Sequence, residues 1–182
     1  MIQLKYNNKN SYDDYGFIVK SVDRPILPTL RKREIVIPGR HGTWDFEGNT
    51  YENRIISVEF KYRGTTFNDL RLQARDIAQW LSQTIYKELI FSDEPDKYYL
   101  AKIYDSIGLQ NILRAGQGSI RFECKPFAYK LTEDITSATI TANGQTLAVV
   151  LAGTAETPEI ITLTNQGSSI SAFTLEIETL IL

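Results

Sequence analysis

Short β-strand signals follow one another in quick succession through the first 130 positions. In 55–62, Ile56, Val58, Phe60 and Tyr62 share one face of an extended chain while Ser57, Glu59 and Lys61 share the other. That pattern predicts a half-buried strand in an antiparallel sheet with solvent on one side. Runs rich in Ile, Val, Phe and Tyr at 17–22, 34–37, 88–91, 98–106 and 119–124 read in the same way. In the last of these Ile120, Phe122 and Cys124 alternate with Arg121 and Glu123, which makes Cys124 a small apolar core residue rather than a reactive thiol. Met1 to Asn7 alternates too and predicts a first strand, in a chain made in a cytoplasm without a signal peptide. One segment changes period. Phe67, Leu70, Ala74, Ile77 and Leu81 recur at steps of three and four, a single helical stripe that Trp80 widens. Thr66 with Asp69 approximates a capping box at its start. A helix with one apolar face is expected to lie on the sheet and close the core.

The pattern changes beyond residue 130. Ile140 to Leu147 places an Asn143-Gly144 turn between β-prone residues and predicts a hairpin. Further strands are expected at 159–164 and 172–182, joined by the polar loop Asn165 to Ser169. All 20 Lys and Arg lie at or before Lys130, as do 19 of the 20 aromatics, Phe173 being the exception. The remaining 52 residues hold six acids and 11 threonines. The first part, with 20 basic and 16 acidic residues, carries +4 and the second carries -6. A shift of this kind marks a domain boundary, giving domains 1–130 and 131–182. Phe173, Leu175, Ile177, Leu180, Ile181 and Leu182 would leave an apolar edge that calls for covering by the first domain, another subunit or chain beyond the end.

Composition narrows the chemistry. With 42% hydrophobic and 23% charged residues the chain is expected to be a soluble folded protein, and a net charge of -2 excludes a nucleic-acid binder that works through overall positive charge. No apolar run approaches the roughly 18 residues a membrane helix requires. One cysteine excludes an internal disulfide and a thiolate zinc cluster. The single histidine, His41, has no nucleophile motif around it and reads as a solvated or hydrogen-bonded loop residue, not a catalytic one, in Pro38-Gly39-Arg40-His41-Gly42. Gly116-Gln117-Gly118 precedes strand-like alternation and reads as a turn, since a phosphate loop would open a helix. Asp93, Glu94 and Asp96 lack the ligand spacing of a calcium loop and, with Pro95, read as a turn between strands. Leu30-Arg31-Lys32-Arg33 is too short for a nucleic-acid tract and reads as a solvated strand entry. The expectation is therefore a protein with no catalytic residues, no metal and no cofactor.

Five segments together resemble the amino-terminal domain of phage distal tail proteins. They are Pro38-Gly39-Arg40-His41-Gly42, Tyr51-Glu52-Asn53-Arg54 entering a strand, the helix ending at Trp80-Leu81, Leu89 to Tyr99, and Phe122-Glu123-Cys124-Lys125-Pro126-Phe127-Ala128-Tyr129. The likeness covers about residues 1–130. It implies a mainly β fold with one α-helix, a β-sandwich decorated with the helix and a β-hairpin, followed by a short or incomplete β-rich, galectin-like segment. It also implies a structural virion protein at the tail tip or baseplate of a siphophage or prophage. Such a protein forms a hexameric ring, single or back to back, that connects the tail tube to the tail-associated, receptor-binding proteins and leaves a channel for DNA. The other reading is a carbohydrate- or host-surface-binding baseplate module acting through residues 131–182, with Phe173 as its aromatic surface. An enzyme, such as a tail-associated hydrolase, is the least supported of the three.

Overall fold

The computed structural model of the chain describes residues 2–46, 50–63, 67–105, 117–150, 153–155, 160–170 and 172–177. Two units are distinguished, Met1–Ala138 and Thr139–Leu182. The first contains β1 Leu4–Tyr6, β2 Lys9–Asn10, β3 Phe17–Asp23, β4 Leu30–Arg31, β5 Glu34–Val36, β6 Thr43–Asp45, β7 Thr50–Tyr51, β8 Arg54–Tyr62, α1 Phe67–Leu81, β9 Lys87–Phe91, β10 Glu94–Ile103 and β11 Gln117–Lys130. The predicted helix has the bounds its stripe implied. Thr66, half of the expected cap, lies outside the described residues, as does Gly116.

Seven strands form one antiparallel sheet in the order β2-β1-β9-β10-β11-β8-β3. In a flat sheet β1 and β3, five places apart, would be separated by about 24 Å at about 4.8 Å per strand. Yet Leu4 of β1 and Phe17 and Val19 of β3 meet around one point with Phe60, Trp80 and Ile120. The amide of Ser11 donates to the Leu4 carbonyl at 2.9 Å, and that of Phe17 to the Ser11 carbonyl at 2.8 Å. The sheet therefore curls until its ends face each other. The expected mainly β fold with one helix is present as a single curled antiparallel sheet with α1 beside it.

Bulges permit the curl, and they explain two strand boundaries that alternation placed too tightly. β10 begins at Glu94, before the expected 98, and its register with β9 shifts between Glu94 and Tyr99. Pro95 lies in that shift, where a missing amide donor breaks no ladder bond. β11 runs past the expected 124 to Lys130, and its register with β10 shifts around Pro126, between the pairs Tyr99↔Ala128 and Ala101↔Cys124. A bulge bends a strand and increases its twist.

The interior face carries the residues the alternation assigned to it. Ile56, Val58, Phe60, Ile120, Phe122 and Cys124 are all buried, with Leu89, Phe91 and Ala101 from the neighbouring strands. α1 closes the core with Ile77, Trp80 and Leu81. Trp80 stacks on Tyr15 at 4.4 Å between centroids, and its Nε1 donates to the Tyr6 carbonyl at 2.7 Å.

Burial pushes the Cys124 thiol up to about 12, the nearby Arg54 charge offsetting this only in part. The sign of the linkage is fixed by that direction. A thiol whose folded pKa is raised leaves stability intact below its unfolded pKa, near 9, and removes it as pH climbs toward 12, because only the unfolded chain ionises freely in that window. The thiol is therefore expected to stay silent toward an aromatic disulfide reagent at pH 8 until the chain unfolds. At pH 10, Cys124→Ala should remove a stability loss on the order of 1 kcal/mol. Rapid labelling of the folded protein would contradict this placement.

The second unit departs from expectation. Asn143-Gly144 does turn, with Gly144 at φ 71° and Gln145 Nε2 donating to the Thr139 carbonyl at 3.2 Å. Asn165 likewise organises its loop, accepting from the Gly167 amide at 2.9 Å. But no strand forms at 140–147 or in the described parts of 159–164 and 172–182, and residues such as Ile140, Ile160 and Phe173 are exposed. Among the described residues the second unit thus shows turns without ladders. β propensity expresses itself where a pleated face is buried against neighbours, and the described residues here bury none.

Candidate functional site

The first unit holds its chemistry where the chain leaves the sheet and returns to it. β4 pairs with β7, and β5 with β6, in one hairpin that runs outward from residue 29 and back to 52. Its ladder includes Ile35↔Trp44 and Val36↔Thr43, with the Phe46 amide donating to the Arg33 carbonyl at 3.1 Å and that of Glu52 to Thr29 at 2.8 Å. The predicted loop at Pro38 to Gly42 closes it. Gly39 and Gly42 take φ 83° and 76°, which side chains resist. His41 stands exposed at this tip and hydrogen-bonds to no other described residue.

This arm is amphipathic. Residues on paired strands alternate between faces, so Ile35, Ile37, Trp44 and Phe46 lie together. Lys32, Glu34 and Thr43 lie opposite, with Thr43 Oγ1 donating to Glu34 at 3.0 Å and Lys32 bridging to Glu34 at 3.7 Å. On the apolar face Trp44 is 45% exposed and Phe46 56%. Arg40 covers part of the indole, 4.6 Å from the ring centroid. A two-stranded ribbon is marginal in water by itself, and this one leaves its apolar side uncovered.

The root of the arm is held by polar groups. Arg24, just before the arm, ion-pairs with Asp93 and with Glu94 at 3.5 Å, and stacks over Phe91 at 4.7 Å. Arg54, just after it, donates to the Pro25 carbonyl at 3.1 Å and to the Pro126 carbonyl, with its guanidinium 5.6 Å from the Tyr99 ring. Asn53 donates to Tyr86 Oη at 3.1 Å and to Glu123, which also accepts from Tyr86 at 3.0 Å. Burial works against the Glu123 carboxylate, yet the bonds from Asn53, Tyr86 and Lys102 outweigh it and hold its pKa below the ordinary value. Tyr51 meets Phe127 edge-on at 5.4 Å.

Three separate segments singled out in the sequence thus converge here. Tyr51 to Arg54 contacts Glu123 to Phe127, and Asp93 and Glu94 of the acidic turn neutralise Arg24 instead of facing a cation site. The basic run 30–33 is exposed, as its reading required. Alternation did not reveal β6, the partner of β5, nor the role of Arg24. The only local sign of β6 was Thr43-Trp44-Asp45 after a glycine-bounded loop. Arg24 had none, because its acids are about 70 positions away.

A family profile described as Phage tail protein RIFT-related domain matches residues 12–124. The chain is similar to the crystal structure of SPP1 Dit (gp 19.1), titled a paradigm of the hub adsorption apparatus in phages infecting Gram-positive bacteria. The TM-score is 0.59 and the identity 21%, over 71% of this chain and 52% of that one. This chain therefore spans about half the length of that protein. No curated protein matches the sequence.

Proposed function

The chain belongs to the family of phage tail proteins built on a RIFT-related domain, and from that premise we propose that it is a distal tail protein of a siphophage. The family makes it a component of the virion tail. In the proposed role six copies form a ring at the tail tip, single or back to back. The ring joins the last ring of the tail tube to the host-adsorption proteins and leaves a channel through which DNA passes. The protein works by shape, without catalysis or cofactor.

The observation that carries this reading is the uncovered apolar face of the arm. A cyclic ring is built from heterologous contacts, in which one patch of each subunit meets a different patch of the next. An arm that projects from the sheet and presents Ile35, Ile37, Trp44 and Phe46 supplies one of those patches. The likeness to SPP1 Dit supports the same placement through the fold. A sugar-binding module acting through 131–182 is the weaker reading, because the described residues there form no sheet face on which a sugar would stack.

Light scattering over a range of concentrations, with electron microscopy of negatively stained particles, tests the proposal. The expected result is six or twelve times the 20.7 kDa protomer and a ring with a central hole. A monomer at every concentration, both alone and mixed with the tail-tube protein, would overturn it.

A further inference from the structure

Among the described residues two buried side-chain nitrogens lack a hydrogen-bond partner, Arg24 Nη1 and Arg54 Nε, and both lie at the root of the arm. Unsatisfied buried polar atoms are uncommon in folded proteins and call for an explanation. Arg54 is the sharper case. No described carboxylate pairs with it, so its charge faces two carbonyls and the Tyr99 ring. An apolar side chain at this position would fold the sheet at least as well, because a guanidinium taken from water without an ion pair is a cost. What it supplies is geometric. The two carbonyls belong to different pieces of chain, Pro25 where the arm departs and Pro126 in the bulge of β11. A planar fork of donors is the side chain suited to hold two acceptors at a set angle.

We infer that Arg54 is a positioning residue that fixes the direction in which the arm leaves the sheet, and that this angle decides whether self-association closes into a ring. The inference rests on the reading of the arm as an assembly contact. Head-to-tail contacts close only if each step turns the chain by the right amount, about 60° for six copies, and otherwise continue as open chains. A joint that rocks by several degrees spreads that error over every step. Arg24 braces the departing strand from the other side, and the Asn53–Glu123–Tyr86 bonds secure the returning one. Loss of Arg54 should therefore loosen the arm and leave it folded.

The test places nitroxide labels at His41→Cys on the tip and Lys61→Cys on β8, Cys124 being buried, and measures the distance distribution by pulsed electron resonance in labelled chain diluted with unlabelled chain. The parent should show one narrow distribution. Arg54→Met should broaden it about twofold, and Arg54→Lys should not restore it, since an ammonium cannot present two donors in a fixed fork. In the same variants scattering should show mixed open and closed assemblies where the parent gives one mass. An unchanged width in both variants, or restoration by Lys, would overturn the inference. If Arg54→Met does not fold, Arg54→Lys alone decides by its width. The parent reading fails separately: Trp44→Asp that leaves the mass intact removes the arm from assembly, whatever the width at the root.

Discussion

Trp44→Asp with Phe46→Asp is expected to abolish self-association while leaving the folded sheet untouched. Interface aromatics of this type are the residues whose truncation costs about 2 kcal/mol or more each. Adding a carboxylate to each position would bury a charge against the neighbouring copy, and together the changes should weaken each contact on the order of 1,000-fold or more. Neither residue belongs to the buried core, so far-ultraviolet dichroism and the urea midpoint should match the parent. Light scattering at a concentration where the parent is assembled should then give 20.7 kDa. A double variant that retained the parent mass would move the assembly contact elsewhere on the first unit.

The second large effect lies in the core. Trp80→Ala should destabilise the first unit by about 3–5 kcal/mol, a large fraction of the roughly 5–15 kcal/mol that holds a domain together. The indole fills the seam where the curled sheet meets the helix. It packs against Tyr6 of β1, Tyr15, and Phe17 of β3, with centroids at 6.2, 4.4 and 6.3 Å. Trp80→Phe would retain most of the contact and leave the Tyr6 carbonyl without its donor, for a loss of about 1–3 kcal/mol. Leu72→Ala on the solvent side of the same helix, where the side chain is 77% exposed, should be nearly neutral. Urea denaturation ranks the three, and a Trp80→Ala midpoint close to that of Leu72→Ala would contradict the packing.

Legibility in the sequence followed the range of the physics involved. The stripe of α1 and the face Ile56, Val58 and Phe60 were readable because both patterns are set within a few residues of chain. The tail resemblance was readable through five short segments, three of which meet at the root of the arm. The arm itself was read as a strand with a loop after it, because Ile35 and Val36 in an exposed ribbon look the same as Ile and Val in a core strand. Pro95 argued by its local chemistry for a turn between strands, and the register shift that accommodates it inside β10 exists only in the assembled sheet.

The chain past residue 130 reverses the lesson, since among its described residues the β-prone runs stay without ladders and bury no face. Period, turn chemistry and the family of the fold were thus carried by neighbouring residues alone, because dihedral preference and side-chain alternation are local. Which apolar faces became interior, which were left exposed, and why two arginines sit at one root were set when strands 70 positions apart came together. Burial and hydrogen-bond geometry exist only after that closure.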